Sequence, residues 1–133
     1  MSQPKLIHAM VRVRELDRSL QFYDRALGLR QVHRVEFPDF TLVYLRNDAS
    51  EFELELTWNR GHQEPYVLGD GYGHLAVSVA DLAAARTEME AAGVAVGPMR
   101  ELVRDGKPLA RFFFISDPDG YRIEVLERAG HYQ

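Results

Sequence analysis

The chain has 133 residues, 46% of them apolar and 27% charged, with a formal net charge of -4 and no cysteine. These values describe one globular domain with enough apolar mass for its own core. They exclude disulfides, thiolate metal sites and cysteine nucleophiles, and the acidic balance opposes a nucleic-acid partner. The longest apolar runs, such as Phe112 to Ile115, are far too short to span a bilayer. Met1 to Lys5 leads straight into a strand-like run with no apolar signal segment, so the expectation is a cytoplasmic protein with no membrane partner.

Taken in chain order, the pattern opens with an alternating strand over 6–13. A helix follows, with Asp17 as N-cap, Leu20, Tyr23, Ala26 and Leu27 along one face, and Gly28 as its stop. Three strands come next, over 30–37, 40–46 and 51–58. The second half repeats the order: a strand over 73–80, a helix from Asp81 to Gly93, then strands over 94–103, 110–115 and 121–127. Asp117-Pro-Asp-Gly120 marks the turn before the last of them.

The two halves are also alike residue by residue. A shift of 66 lays His8 on His74, Val11 on Val77, Val13 on Val79 and Leu16 on Leu82. A shift of 69 lays Phe52-Glu-Leu-Glu-Leu56 on Tyr121-Arg-Ile-Glu-Val125, and so Glu55 on Glu124. One longer loop in the second half accounts for the change of offset. The expected fold is α+β: one domain, 1–133, of two paired β-α-β-β-β modules (5–66 and 71–128) forming a curved eight-stranded sheet.

Side chains alternate across a strand, which assigns the polar ones a face. His8, Met10 and Arg12 oppose Ala9, Val11 and Val13; His74, Ala76 and Ser78 oppose Leu75, Val77 and Val79. Glu53, Glu55 and Thr57 oppose Leu54, Leu56 and Trp58, and Glu124 opposes Ile123 and Val125. Two imidazoles and two carboxylates on one surface form a nitrogen–oxygen donor set suited to Ni, Co, Mn, Fe or Zn. Four such ligands leave octahedral positions open, as a catalytic metal requires. Glu53 rivals Glu55 by its face, but Arg122 stands at the matching place, so the repeat selects Glu55. His33, His62 and His131 have no matched partner and read as surface or loop residues.

From about Leu6 to Glu127 the chain resembles glyoxalase I, the lactoylglutathione lyase of the vicinal oxygen chelate superfamily. The resemblance is carried by His8-Ala-Met-Val-Arg-Val13, Ser19 to Leu29, Glu55-Leu-Thr-Trp-Asn59, Gly71-Tyr-Gly-His-Leu75 and Asp117-Pro-Asp-Gly-Tyr-Arg-Ile-Glu124. It is looser at Trp58-Asn59-Arg60-Gly61 and over Arg100 to Arg111. The resemblance implies metal ligation by His8, Glu55, His74 and Glu124, at sites shared between the subunits of a homodimer. It implies Ni(II) as the metal, with Co(II) or Zn(II) as alternatives, and substrate binding by Arg12 and Asn59. The implied reaction is isomerisation of the methylglyoxal–glutathione hemithioacetal to S-lactoylglutathione, a methylglyoxal detoxification.

In that chemistry a carbon acid must lose a proton beside two vicinal oxygens. A divalent cation stabilises the charge, and a carboxylate moves the proton between neighbouring carbons. Glu124 is the first choice for that base and Glu55 the second. Another metalloenzyme of the superfamily (an epimerase, dioxygenase or thiol-transfer resistance protein) and a non-catalytic binding protein of the same fold are the alternatives.

Overall fold

The structure, a computed structural model, describes residues 2–133. They form two compact units, the first ending at Val67 and the second running from Leu68 to Gln133. No helix among the described residues is long and apolar enough to cross a membrane.

The first unit comprises β1 (His8–Val13), α1 (Leu16–Leu27), β2 (Arg30–Glu36), β3 (Phe40–Arg46) and β4 (Glu53–Asn59). The second comprises β5 (Leu75–Val79), α2 (Leu82–Ala91), β6 (Arg100–Arg104), β7 (Lys107–Ser116) and β8 (Arg122–Glu127). The eight strands divide four and four, in the orders β1-β4-β3-β2 and β5-β8-β7-β6. In each sheet the first strand pairs in parallel with the last, and the remaining pairs are antiparallel. The chain therefore writes one β-α-β-β-β topology twice.

The alternation read from the sequence is the alternation that packs. Val11, Val13, Leu54 and Leu56 are buried in the first unit, and Ile123 and Val125 in the second. Val43 and Leu45 from β3, and Phe113 and Ile115 from β7, fill equivalent places. Leu56 is completely enclosed. Leu56→Ala is expected to lower unfolding stability by about 2–5 kcal/mol through lost burial and a residual cavity, read by denaturant titration.

Helix α1 begins two residues earlier than its best capping side chain suggests. Glu15 occupies the N-cap position without a side-chain capping bond, and Asp17 lies in the first turn. Burial of Leu16 draws the start forward, and the packed stripe is Leu16, Ser19, Tyr23 and Ala26, with Leu20 and Leu27 half-buried beside it. Asp17 still favours the positive end of the helix dipole. Gly28 ends the helix in the left-handed region (φ 63°), where its N–H and that of Leu29 satisfy the carbonyls of Asp24 and Tyr23. Helix α2 follows expectation at its start: the Asp81 side chain accepts a bond from the Ala84 N–H at 3.0 Å.

Strand β6 is shorter than the apolar run over 94–103 suggests. Pro98 has no N–H to give a ladder, so regular pairing starts at Arg100, although the Gly97 N–H already bonds the Phe114 carbonyl at 2.9 Å. Strand β7 starts earlier than expected, at Lys107, because Asp105 (φ 52°) and Gly106 (φ 75°) form a tight turn between β6 and β7. Two positive φ angles in succession match the right-handed twist of paired strands, and Asp-Gly is the pair that adopts them cheaply.

Candidate metal centre

In the parallel pair β1–β4, His8 lies across from Glu53 and Met10 across from Glu55. His8 and Glu55 are thus diagonal neighbours on one face, and His8 Nε2 stands 3.3 Å from Glu55 Oε1. The second module reproduces this offset. Ala76 lies across from Glu124, and His74, just before β5, stands diagonally with Nε2 3.4 Å from Glu124 Oε1.

These distances fit a divalent cation. Two donors each about 2.1 Å from one ion and at right angles to each other are about 3 Å apart, close to both observed separations. Imidazole nitrogen with carboxylate oxygen is the donor chemistry of the borderline first-row metals. The four expected ligands come together in twos, one pair per module. Among the described residues, no group of three or more His, Asp or Glu side chains is gathered that can hold a metal ion.

Glu55 is the more tightly held carboxylate. Its Oε2 accepts a hydrogen bond from Thr57 Oγ1 at 3.1 Å, and the residue is buried. Tyr44 lies across from it in the β3–β4 register, and its phenol also donates to Glu55. That bond holds the Tyr44 pKa above the ordinary tyrosine value, with desolvation and the charges of Glu55 and Glu53 adding to it. The phenol therefore stays protonated and remains a donor at neutral pH. In the second module the equivalent places carry Phe114, the register partner of Glu124, and Leu126, neither of which has a hydroxyl.

Each histidine also meets an aromatic ring edge-on, His8 with Tyr44 at 5.6 Å and His74 with Phe114 at 5.5 Å between centroids. Tyr44 and Phe114 are the neighbours that sequence reasoning missed, while Thr57, read on the Glu55 face, was given no bond to it. A shift of 70, placing Tyr44 on Phe114, carries the signal that finds the ring pair. His33 is exposed, as expected, and lies across from Tyr44 with ring centroids 5.7 Å apart, on the same face as the His8–Glu55 pair. His62 lies in a loop, as expected, and stacks on Tyr66 at 3.9 Å, with its Nε2 buried and without a hydrogen-bond partner.

Arg12 and Asn59 extend the donor face beyond Glu55. Arg12 pairs in register with Thr57, and Asn59 lies two residues further along the same side of β4. The Asn59 side-chain amide donates to the Tyr66 hydroxyl at 3.2 Å, which fixes its orientation. Arg46 neutralises Glu53, the rival carboxylate, at 3.5 Å, leaving Glu55 as the acid turned to the histidine.

Residues 5–125 match the family described as the Glyoxalase/Bleomycin resistance protein/Dioxygenase superfamily. Lactoylglutathione lyase from Haemophilus influenzae is 38% identical over 127 residues, which cover 92% of this chain and 92% of that one. The chain belongs to the glyoxalase I family. Among solved structures, the trypanothione-dependent glyoxalase I of Leishmania major is 34% identical, with a TM-score of 0.74 over 94% of this chain and 87% of its own. Glyoxalase I from Zea mays is 29% identical with a TM-score of 0.81, and this chain spans 45% of its length. The paired β-α-β-β-β modules are thus the glyoxalase I fold, and the duplicated His–Glu pair lies where its two halves repeat one another.

Proposed function

We propose that the chain is a metal-dependent lactoylglutathione lyase that converts the hemithioacetal of methylglyoxal and glutathione into S-lactoylglutathione. The observation that carries this reading is the duplicated His–Glu pair, with both donor separations suited to adjacent coordination positions. His8 and Glu55 supply one half of the donor set and His74 and Glu124 the other. A divalent cation held there, nickel with cobalt or zinc as substitutes, would supply Lewis acidity to the substrate. The two imidazoles and two carboxylates would hold it, and the absence of cysteine excludes thiolate ligands.

Glu124 takes the proton from C1 of the hemithioacetal and returns it to C2. Glu55 is restrained by the hydroxyls of Thr57 and Tyr44, whereas the matched neighbours of Glu124 are Leu126 and Phe114. A carboxylate without those tethers is freer to leave one oxygen for a proton and turn between neighbouring carbons. Arg12 binds a carboxylate of the thiol through a charge-assisted fork, and Asn59 presents its amide oxygen to a peptide N–H. The direct test is an assay of thioester formation from methylglyoxal and glutathione by the nickel-loaded protein. Lack of turnover with nickel, cobalt and zinc alike overturns the reading. Arg12→Ala is expected to raise KM about tenfold with little change in kcat, the loss of one charged hydrogen bond; an unchanged KM removes Arg12 from the thiol site.

Two donors per module lead to a homodimer in which the first module of one subunit completes its set with the second module of the other. His8→Ala and His74→Ala are each expected to be inactive, while their refolded mixture regains activity. Random pairing makes about half of the dimers mixed, and each mixed dimer has one intact site, so the expected recovery is about a quarter of the wild-type rate. A mixture as inactive as its parents places all four ligands in one chain.

A further inference from the structure

At one position on the donor face the two modules carry opposite charges. In the first, Glu53 lies across from His8, and Arg46 neutralises its carboxylate at 3.5 Å. The matched residue in the second is Arg122, two residues before Glu124 on the same side of β8. Its register partner on β7 is Ser116, which carries no charge. The Arg122 guanidinium carbon stands 3.9 Å from the centre of the Phe114 ring, the ring that also meets His74 edge-on. Arg122 is exposed, while Phe114 beneath it is half-buried.

Contact with an aromatic face holds a guanidinium without pairing its charge to an acid. The cation is thus placed without being neutralised, and its fork matches the two oxygens of a carboxylate. It stands beside the His74–Glu124 pair at the place where the first module presents an acid already paired. Such an arrangement attracts an anionic group of a bound molecule to the second module.

We infer that Arg122 is a carboxylate-binding residue of the substrate site, distinct from Arg12, and that it makes the enzyme select thiols bearing carboxylates. This rests on the isomerase reading for the identity of the thiol as glutathione, whose two carboxylates suit two separate arginines. Arg12 stands on the face of the first module and Arg122 on that of the second, so each module contributes one guanidinium as well as one His–Glu pair.

The experiment compares calorimetric binding of S-methylglutathione and its dimethyl ester to the nickel-loaded full chain and to Arg122→Ala, Arg122→Gln and Arg122→Lys. Loss of one charge-assisted contact corresponds to about tenfold in affinity. Arg122→Ala and Arg122→Gln are each expected to weaken S-methylglutathione binding by about that factor and to leave the diester unaffected. Arg122→Lys regains part of the loss, since it keeps the charge without the planar fork. The glutamine variant keeps a polar side chain without the charge and carries the test where the alanine variant does not fold. In turnover, KM for the glutathione hemithioacetal rises with kcat within about twofold. Equal weakening of acid and diester, no weakening of either, or no binding of S-methylglutathione by the wild type overturns the inference. Wild-type protein that binds S-methylglutathione but does not turn over methylglyoxal with glutathione overturns the isomerase reading alone, and the calorimetric comparison still decides the role of Arg122.

Discussion

Glu124→Gln is expected to leave the fold unchanged and to lower kcat about a thousandfold, within the range that general acid–base catalysis contributes. Glutamine keeps an oxygen at the same place, so the donor geometry with His74, 3.4 Å away in the native protein, survives. What it loses is the ability to accept and return a proton. Glu55→Gln is expected to be the milder of the two changes. Glu55 already accepts bonds from Thr57 and Tyr44, and an amide in its place still accepts them through its oxygen. Rates measured at saturating substrate, with metal content determined for each variant, separate a lost base from a lost ligand. If Glu55→Gln proves the more damaging at full metal occupancy, the base is Glu55 and the hydroxyl tethers orient it for the task.

Removal of metal is expected to abolish activity, and its return to restore it. Dialysis against a chelator should bring the rate to that of buffer, and added Ni(II) or Co(II) should recover most of the original rate. The same titration has a thermodynamic readout that needs no substrate. An ion that binds only the native state stabilises it by about 2.7 kcal/mol at one hundred times its dissociation constant, so the thermal midpoint should climb with metal concentration. His8→Ala and His74→Ala should each lose most of that rise. Activity that survives thorough chelation, with metal content below a few per cent of sites, contradicts the proposed chemistry.

Much of the centre was legible because strand periodicity and internal duplication constrain each other. Alternation put His8, Glu55 and Glu124 on polar faces, and the duplication chose Glu55 over Glu53, which the structure pairs with Arg46. The caps at Gly28 and Asp81 were readable because each depends on a single residue with a strong local preference. Tyr44 was missed for a different reason. Its importance comes from register between neighbouring strands, and no single strand reveals which residue of the next lies beside it. The start of α1 was misplaced because burial of Leu16 outweighed the capping preference of Asp17. The early start of β7 was readable in Asp105-Gly106, a pair favoured in hairpins, but the neighbouring apolar runs drew the boundaries instead.

The parallel contact of β1 with β4, and of β5 with β8, couples assembly of the centre to folding itself. Within each module the imidazole comes from the opening strand or the residue just before it and the carboxylate from the closing strand, so the helix and two further strands lie between the donors in the chain. Such distant pairings pay their loop-closure entropy before they gain contact energy, which makes them late events in folding. A nascent or locally opened module therefore offers a cation only scattered ligands. Uptake of an ion by the four proposed donors would then require folded modules, so metal capture would follow the native population.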